Sequence, residues 1–151
     1  MNYTVTGMKA EHIPEIARLE KECFSSPWSE NALAQELSNP DSHFLVAESD
    51  GVAGYIGVQE ICGEAYITNV AVFGGFRKLG IGRALLRAAA DGAESRGCEF
   101  ITLEVRVSNG AAITLYETEG FERIGIRKNF YDSPVEDGAI YTKYFSKEVS
   151  E

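Results

Sequence analysis

Hydrophobic residues recur along this chain with two different spacings. Apolar positions three or four residues apart, typical of amphipathic helices, occupy segments 13–24, 30–37, 81–96 and 108–120. Shorter apolar runs, several of them alternating with polar residues, are typical of strands and occupy segments 2–6, 43–48, 52–61, 65–72, 99–107, 121–127 and 139–145. The pattern predicts the element order β, α, α, β, β, β, α, β, α, β, β, with a long connection before the last strand.

Local signals support the boundaries of these elements. Ser29 can cap the second helix, and the residue before Pro40 resists helical geometry and should end it. Gly97 suits the left-handed position after the third helix. The short connections at 49–51 and 62–64 favour an antiparallel meander. We therefore expect one domain, residues 1–151, of the α/β (α+β) class, with a single mixed sheet and helices packed on it.

Composition excludes several classes of protein. With 44% hydrophobic and 25% charged residues, the 151-residue chain is typical of a globular protein, and no apolar run is long enough to suggest a membrane span. The first residues lack the pattern of a signal peptide, so we expect a cytoplasmic protein. The three cysteines, Cys23, Cys62 and Cys98, are too widely spaced to indicate a disulfide framework or a metal site.

Charge is distributed unevenly along the chain. The net charge of -9 argues against direct binding to nucleic acid. No Lys or Arg lies between Glu22 and Phe76, a stretch that carries eight acidic residues, whereas the bases cluster after Arg77. This asymmetry is compatible with an acidic surface for a cationic partner and a basic site for an anion, or with a solvated acidic surface that only aids solubility.

The segment 73–86, FGGFRKLGIGRALL, places glycines and bases ahead of an apolar helix. A dinucleotide fingerprint would need a third glycine where Leu85 stands, and the Gly-Lys-Ser/Thr of a phosphate-binding Walker loop is missing. A glycine-rich turn that leads into a helix directs unpaired backbone N–H groups at one point, where an oxyanion can bind. The segment predicts either an anion site, supported by Arg77, Lys78 and Arg83, or a purely structural turn.

The motif Arg77-Lys78-Leu79-Gly80-Ile81-Gly82, after the strand 69–72, resembles the pyrophosphate loop of the Gcn5-related N-acetyltransferases (GNAT), and the element order resembles theirs over nearly the whole chain. The resemblance implies about seven mostly antiparallel strands flanked by about four helices, with acetyl-CoA as co-substrate. The residues that it implies for acetyl-CoA binding are Val70, Ala71, Val72, Arg77, Lys78, Leu79, Gly80, Ile81, Gly82, Arg83 and Asn109. The segment 73–76 departs from the family, which usually carries a proline there, so this turn is less constrained.

Three further motifs resemble the RimI-type branch of this family. They are the segments 24–33 (FSSPWSENAL), 103–121 (LEVRVSNGAAITLYETEGF) and 127–131 (RKNFY), the last followed by Glu136-Asp137. RimI-type enzymes acetylate the N-terminal alanine of a small-subunit ribosomal protein. The resemblance implies a basic peptide as partner, which gives weight to the acidic stretch, and it leaves room for other protein partners.

The resemblance also assigns roles in a direct ternary-complex mechanism without an acyl-cysteine. It makes Glu104 the general base and Tyr116 the general acid. Taken alone, Glu104 could be an exposed strand residue paired with a neighbour, and Tyr116 a core residue. Trp28 can pack the first two helices or border the acceptor peptide, and Tyr131 can border that peptide or pin a surface loop.

Two other functions remain open at this point. The chain could be a GNAT acetyltransferase that acts on lysine side chains, polyamines or other small amines. It could also be a non-catalytic module that binds acyl-CoA and regulates a partner, although the presence of both Glu104 and Tyr116 speaks against this.

Overall fold

Seven strands and four α-helices follow one another in the predicted order. The computed structural model describes residues 3–76 and 80–145. The elements are β1 (Thr4–Gly7), α1 (Ile13–Cys23), α2 (Glu30–Leu37), β2 (Leu45–Ser49), β3 (Gly51–Ile61), β4 (Glu64–Val72), α3 (Ile81–Ser95), β5 (Phe100–Arg106), α4 (Gly110–Thr118), β6 (Glu122–Tyr131) and β7 (Glu136–Tyr144). Two short 3₁₀ turns, Ala10–His12 and Gly74–Phe76, were not predicted.

The strands form one mixed sheet in the order β1-β2-β3-β4-β5-β7-β6. All neighbouring pairs are antiparallel except β4 and β5, which run parallel over only three residue pairs, from Glu64 opposite Phe100 to Tyr66 opposite Thr102. Beyond those pairs both strands continue without registered pairing to each other. We call the opening between residues 67–72 of β4 and 103–106 of β5 the strand cleft.

A β-bulge lies in β4 beside this cleft. Gly57 of β3 is opposite Asn69, while the next residue, Val58, is opposite Ile67, so Thr68 is an extra residue in β4. A bulge of this kind turns the following side chains to the other face. Accordingly Ile67 packs in the core beside α3, whereas Ala71, four residues later, packs in the core beside α1.

Each face of the sheet is covered by a separate hydrophobic core. The α3 core contains the apolar side of α3, including Leu85 and Leu86, together with inward-facing residues of β5 and Tyr116 of α4. The α1 core joins Ile16 and Leu19 to Leu33 of α2 and to the sheet. Burying each of these large side chains contributes about 1.5–3 kcal/mol, so the two cores fix the sheet between two helical layers.

The structure confirms the local signals for the helix ends. Ser29 Oγ accepts a hydrogen bond from the N–H of Ala32 at 3.0 Å, and Gly97 has a φ of 90° in the left-handed region. The prediction was wrong about the connection before the last strand. β6 extends through Tyr131 and β7 begins at Glu136, since the polar residues there continue the antiparallel ladder of this hairpin. No described helix has the length and apolar character needed to cross a membrane.

Candidate active site

The strand cleft and the first turn of α3 offer backbone groups to a ligand. Gly80 precedes α3 with a φ of 80°, a left-handed conformation that favours glycine, and a Cβ atom built there would meet no atom of the described residues within 4 Å. The N–H of Ala84 makes the first bond of the helix, to the carbonyl of Gly80 at 3.0 Å. The N–H groups of residues 81–83 therefore stand ahead of the helical ladder, where a helix binds anions.

Side chains around this turn only partly match the predictions. Arg77, Lys78 and Leu79 lie outside the described residues. Ile81 is 1% exposed within the α3 core, so only its backbone can contact a ligand. Gly82 packs normally, because a Cβ there would lie 3.6 Å from the nearest side-chain atom of Leu115.

Arg83 is ion-paired in the structure, although the sequence offered no acidic neighbour for it. Its Nη1 contacts the carboxylate of Glu119, just after α4, and lies 3.2 Å from Thr118 Oγ1. Arg87 joins the same carboxylate, with Nε 2.7 Å from Glu119 Oε1. The two guanidiniums, Arg87 foremost, lower the pKa of Glu119. This cluster ties α3 to the end of α4 and partly neutralises the base that was expected to face an anion.

Glu104 lies on β5 inside the strand cleft, on the face opposite Leu103 and Val105. Its side chain is 8% exposed, so it is not the exposed strand glutamate that the sequence alone also allowed. One carboxylate oxygen accepts a hydrogen bond from the hydroxyl of Tyr66, and Oε2 lies 3.0 Å from Nε of Arg127 on β6. The carboxylate is thus oriented by two partners that the sequence had not indicated.

Tyr66 reaches Glu104 because of the register of the sheet. It belongs to the last β4–β5 pair, opposite Thr102, and Glu104 follows Thr102 by two residues on the same face. Burial, followed by the hydrogen bond to Glu104, raises the pKa of Tyr66. Tyr66 therefore stays protonated and donates. The sequence signal for this residue was weak: a lone aromatic residue in a strand.

Tyr116 is 5% exposed and packs in the α3 core, with its ring centroid 5.9 Å from that of Phe121. Burial is the main cause that raises its pKa, and the nearby Tyr131 adds to the shift. The phenol is therefore protonated at neutral pH and can donate a hydrogen bond. A core position and a role as proton donor are compatible here.

Tyr131 is the last residue of β6 and interacts with other predicted site residues. The guanidinium carbon of Arg106 lies 4.5 Å from its ring centroid, and Arg106 Nη1 is 3.2 Å from Glu136 Oε1. Burial, and then the charge of Glu104, raise the pKa of Tyr131 to about 12. Tyr131 interacts electrostatically with Glu104 and Tyr116, so the structure brings the three predicted residues into one neighbourhood.

Asn109 and Trp28 both take structural positions. Asn109 caps α4, with its Oδ1 accepting from the N–H of Ala112 at 3.2 Å. Trp28 packs half-buried against the α1 core, with its ring centroid 5.7 Å from that of Phe44. It also lines a small open groove at the start of α2, together with Pro27 and Ala32. Trp28 therefore has the packing role that the sequence allowed, and the groove leaves its exposed surface open to a peptide.

These features fit an acyl-CoA thioester. An anion can approach the open space at Gly80, and the cleft exposes a strand edge along which an extended chain can lie. Thr68 Oγ1, at the bulge, is buried with no hydrogen-bond partner among the described residues. No group of His, Cys, Asp and Glu side chains within residues 3–76 and 80–145 is arranged to hold a metal ion.

Comparison with known proteins gives consistent matches over most of the chain. The model of the acetyltransferase (GNAT) family matches residues 13–121. A Bacillus subtilis protein is 38% identical over 138 residues, covering 90% of this chain and 91% of its own. The [ribosomal protein bS18]-alanine N-acetyltransferase of Escherichia coli K12 is 35% identical, covering 89% of this chain and 90% of its own. The crystal structure of the ribosomal-protein-S18-alanine N-acetyltransferase from Escherichia coli superposes with a TM-score of 0.89 at 32% identity, covering 98% of this chain and 97% of that one.

Proposed function

Because the chain belongs to the acetyltransferase (GNAT) family and is an acetyl-CoA-dependent N-acetyltransferase, we propose that it acetylates the α-amine of an N-terminal alanine on a small-subunit ribosomal protein. The observation that carries this proposal is the position of Glu104. Its buried carboxylate lies in the strand cleft, where Tyr66 and Arg127 orient it and an amine can meet an acyl donor. A ribosomal substrate places the reaction in the cytoplasm.

Glu104 is proposed to accept the proton of the attacking amine, directly or through a water molecule. A carboxylate is a weak base, and the partners Tyr66 and Arg127 fix its position. A weak base suffices for an α-amine, whose pKa near 7.7–8.0 leaves a substantial neutral fraction at cytoplasmic pH. A lysine amine, with a pKa near 10.4, would require a stronger base.

Tyr116 is proposed to protonate the leaving thiolate. The buried phenol carries its proton before the reaction and can pass it to the sulfur as the carbon–sulfur bond breaks. Acetyl-CoA supplies an activated thioester carbonyl as the acetyl donor. The chain would hold it through the N–H groups at the start of α3, the edge of β4 at Val70, Ala71 and Val72, and Asn109. Arg77, Lys78 and Leu79 would complete the pyrophosphate site.

The acceptor is proposed to be a basic peptide. Glu22 at the end of α1 and Glu30 at the start of α2 are both exposed on either side of the connection that carries Trp28. Complementary charge there would speed the encounter with a basic tail and favour it over neutral peptides. Tyr131 would border the same peptide on the opposite side of Glu104.

The test uses acetyl-CoA and two synthetic peptides that are basic after residue one and carry one internal lysine. One begins with free alanine and the other with acetylated alanine, and mass spectrometry locates each added acetyl group. Acetylation of the free α-amine alone supports the proposal. Labelling of the internal lysine in both peptides would identify a lysine acetyltransferase instead, and binding of acetyl-CoA without turnover would identify a non-catalytic module.

Two substitutions test the assigned roles. Glu104→Gln should lower kcat about 100-fold, and most at low pH, where less of the amine is neutral. Glu94→Gln, the same change on the exposed side of α3, should leave the rate unchanged.

Tyr116→Phe should lower kcat about 100-fold with unaltered acetyl-CoA affinity, whereas Tyr144→Phe, at an exposed ring, should have no effect. A normal rate for Tyr116→Phe would remove its role as the acid.

A further inference from the structure

A fully buried carboxylate outside the catalytic cluster gathers hydrogen-bond donors from three parts of the chain. Glu20 lies on α1 and is 0% exposed. Its Oε1 accepts from the backbone N–H of Trp28 at 2.9 Å. Its Oε2 accepts from the hydroxyl of Tyr55 on β3 at 2.5 Å and from Nδ2 of Asn69 on β4 at 2.9 Å. Burial raises the pKa of Glu20, and these three donors oppose that shift.

Two of these donors, Trp28 and Asn69, belong to segments that border the candidate active site. Trp28 belongs to the connection between α1 and α2, which borders the proposed peptide groove. Asn69 directly follows the bulge at Thr68, on the strand that forms one edge of the cleft. An aromatic contact supports the same link, because Phe44 packs between Trp28 and Tyr55, with centroid distances of 5.7 and 6.3 Å.

A carboxylate is an unfavourable way to fill a core position. Desolvation penalises the buried charge, and an apolar side chain of similar volume often packs as well or better. Hydrogen bonds from fixed donors, in contrast, impose defined distances on the groups that they join. Glu20 therefore contributes a defined geometry rather than stability, because its hydrogen bonds fix the position of the Trp28 backbone relative to β4.

We propose that Glu20 is a positioning residue, which holds the α1–α2 connection against Asn69 and thereby sets the acceptor peptide at its distance from the acetyl donor. This inference rests on the proposed peptide acetylation. Glu20 does not touch the reacting groups and acts through Trp28 and Asn69.

Glu20→Gln tests the proposal because an amide cannot satisfy all three donors. If its oxygen faces Tyr55 and Asn69, its NH₂ group faces the N–H of Trp28, and that bond is lost. Glu15→Gln is the matched control, since Glu15 lies on the same helix and accepts the N–H of Val52 at 3.4 Å, away from the site.

Two readouts separate positioning from simple stabilisation. Trp28 is the only tryptophan of the chain, so its emission and acrylamide quenching report on the connection without any substrate. Glu20→Gln should shift both and raise the KM for the peptide about 10-fold, with the KM for acetyl-CoA unchanged. Glu15→Gln should behave as the wild type in every measurement.

The proposal is overturned if Glu20→Gln lowers only the melting temperature, or if Trp28 moves while the peptide KM stays constant. Should Glu20→Gln fail to fold, Asn69→Ala replaces it, since this variant keeps the Trp28 and Tyr55 bonds to the carboxylate. A peptide KM unchanged in folded Asn69→Ala then also overturns the proposal.

If the alanine peptide is not a substrate, KM is measured with the amine that is acetylated. In that case the proposed acceptor is wrong, but the role of Glu20 can still be tested with the other amine.

Discussion

Removing the Tyr55 hydroxyl should destabilise the protein in a way that depends on pH. Tyr55→Phe keeps the ring in the α1 core and deletes one donor to the buried carboxylate of Glu20. A hydrogen bond to a charged group contributes about 1.5–3 kcal/mol to stability, whereas one between neutral groups contributes about 0.5–1.5 kcal/mol. Above the folded-state pKa of Glu20, where the carboxylate is ionised, the larger value applies, and it corresponds to a fall in Tm of roughly 3–12 °C for a domain of this size.

The direction of the pH dependence follows from the pKa of Glu20. Burial raises this pKa in the folded state above its ordinary value of 4.5, so folding is favoured at low pH and loses stability as the pH rises through the folded pKa. Without the Tyr55 donor, the folded pKa rises further and the loss is greater. The stability deficit of Tyr55→Phe should therefore be largest above the folded-state pKa of Glu20 and shrink as the pH falls through that pKa and the carboxylate becomes protonated.

Urea unfolding of the wild type and Tyr55→Phe at several pH values measures this deficit. Tyr141→Phe is the control, because that hydroxyl donates to the exposed carboxylate of Glu117 at 3.2 Å, which water can solvate instead. Its deficit should be below about 1 kcal/mol and independent of pH. A Tyr55→Phe deficit that is constant over the pH range, or below about 0.5 kcal/mol, would refute the reasoning.

Three further substitutions probe the strand cleft and its borders. Gly57→Ala would place Cβ 2.3 Å from Thr68 Oγ1, so unfolding experiments should show a loss of about 1–3 kcal/mol or more, with Thr68→Ala restoring part of it. Tyr66→Phe should lower kcat about 10-fold, because Glu104 loses a donor that orients it; stopped assays at saturating substrates measure this, and an unchanged kcat would contradict it. Gly80→Ala forces a side chain into a left-handed conformation, so calorimetry should show acetyl-CoA binding weakened about 10-fold, and equal binding would show that the turn tolerates the strain.

Features that depend on neighbouring residues could be predicted from the sequence. The cap at Ser29 and the helix stop at Gly97 rest on one side chain or one backbone conformation, and each is present. The order of the elements follows in the same way, because hydrophobic spacing is a local property of the chain. The resemblance to GNAT enzymes then supplied the family and the expectation for Glu104.

Contacts between distant residues could not be predicted. The bond from Tyr66 to Glu104 spans 38 positions and depends on the register of a parallel pair. The contact between Asn69 and Glu20 could not be predicted either, because it depends on the bulge in β4. Strict alternation would place Tyr66 and Asn69 on opposite faces of β4. In the structure Asn69 points to α1 and binds Glu20, on the same side as Glu104. A period-two pattern cannot reveal the extra residue that causes this.

The short ladder between β4 and β5 has a consequence for local unfolding. It comprises three residue pairs, whereas the β3–β4 and β5–β7 ladders comprise eight and seven, so few backbone bonds join the four-stranded and three-stranded parts of the sheet. Side chains of the α3 core, such as Ile67 and Leu103, span this seam. Native-state amide exchange should therefore proceed mainly by separation of the two parts. A ligand that lies along the cleft contacts both, and it should slow exchange on both sides of the seam at once.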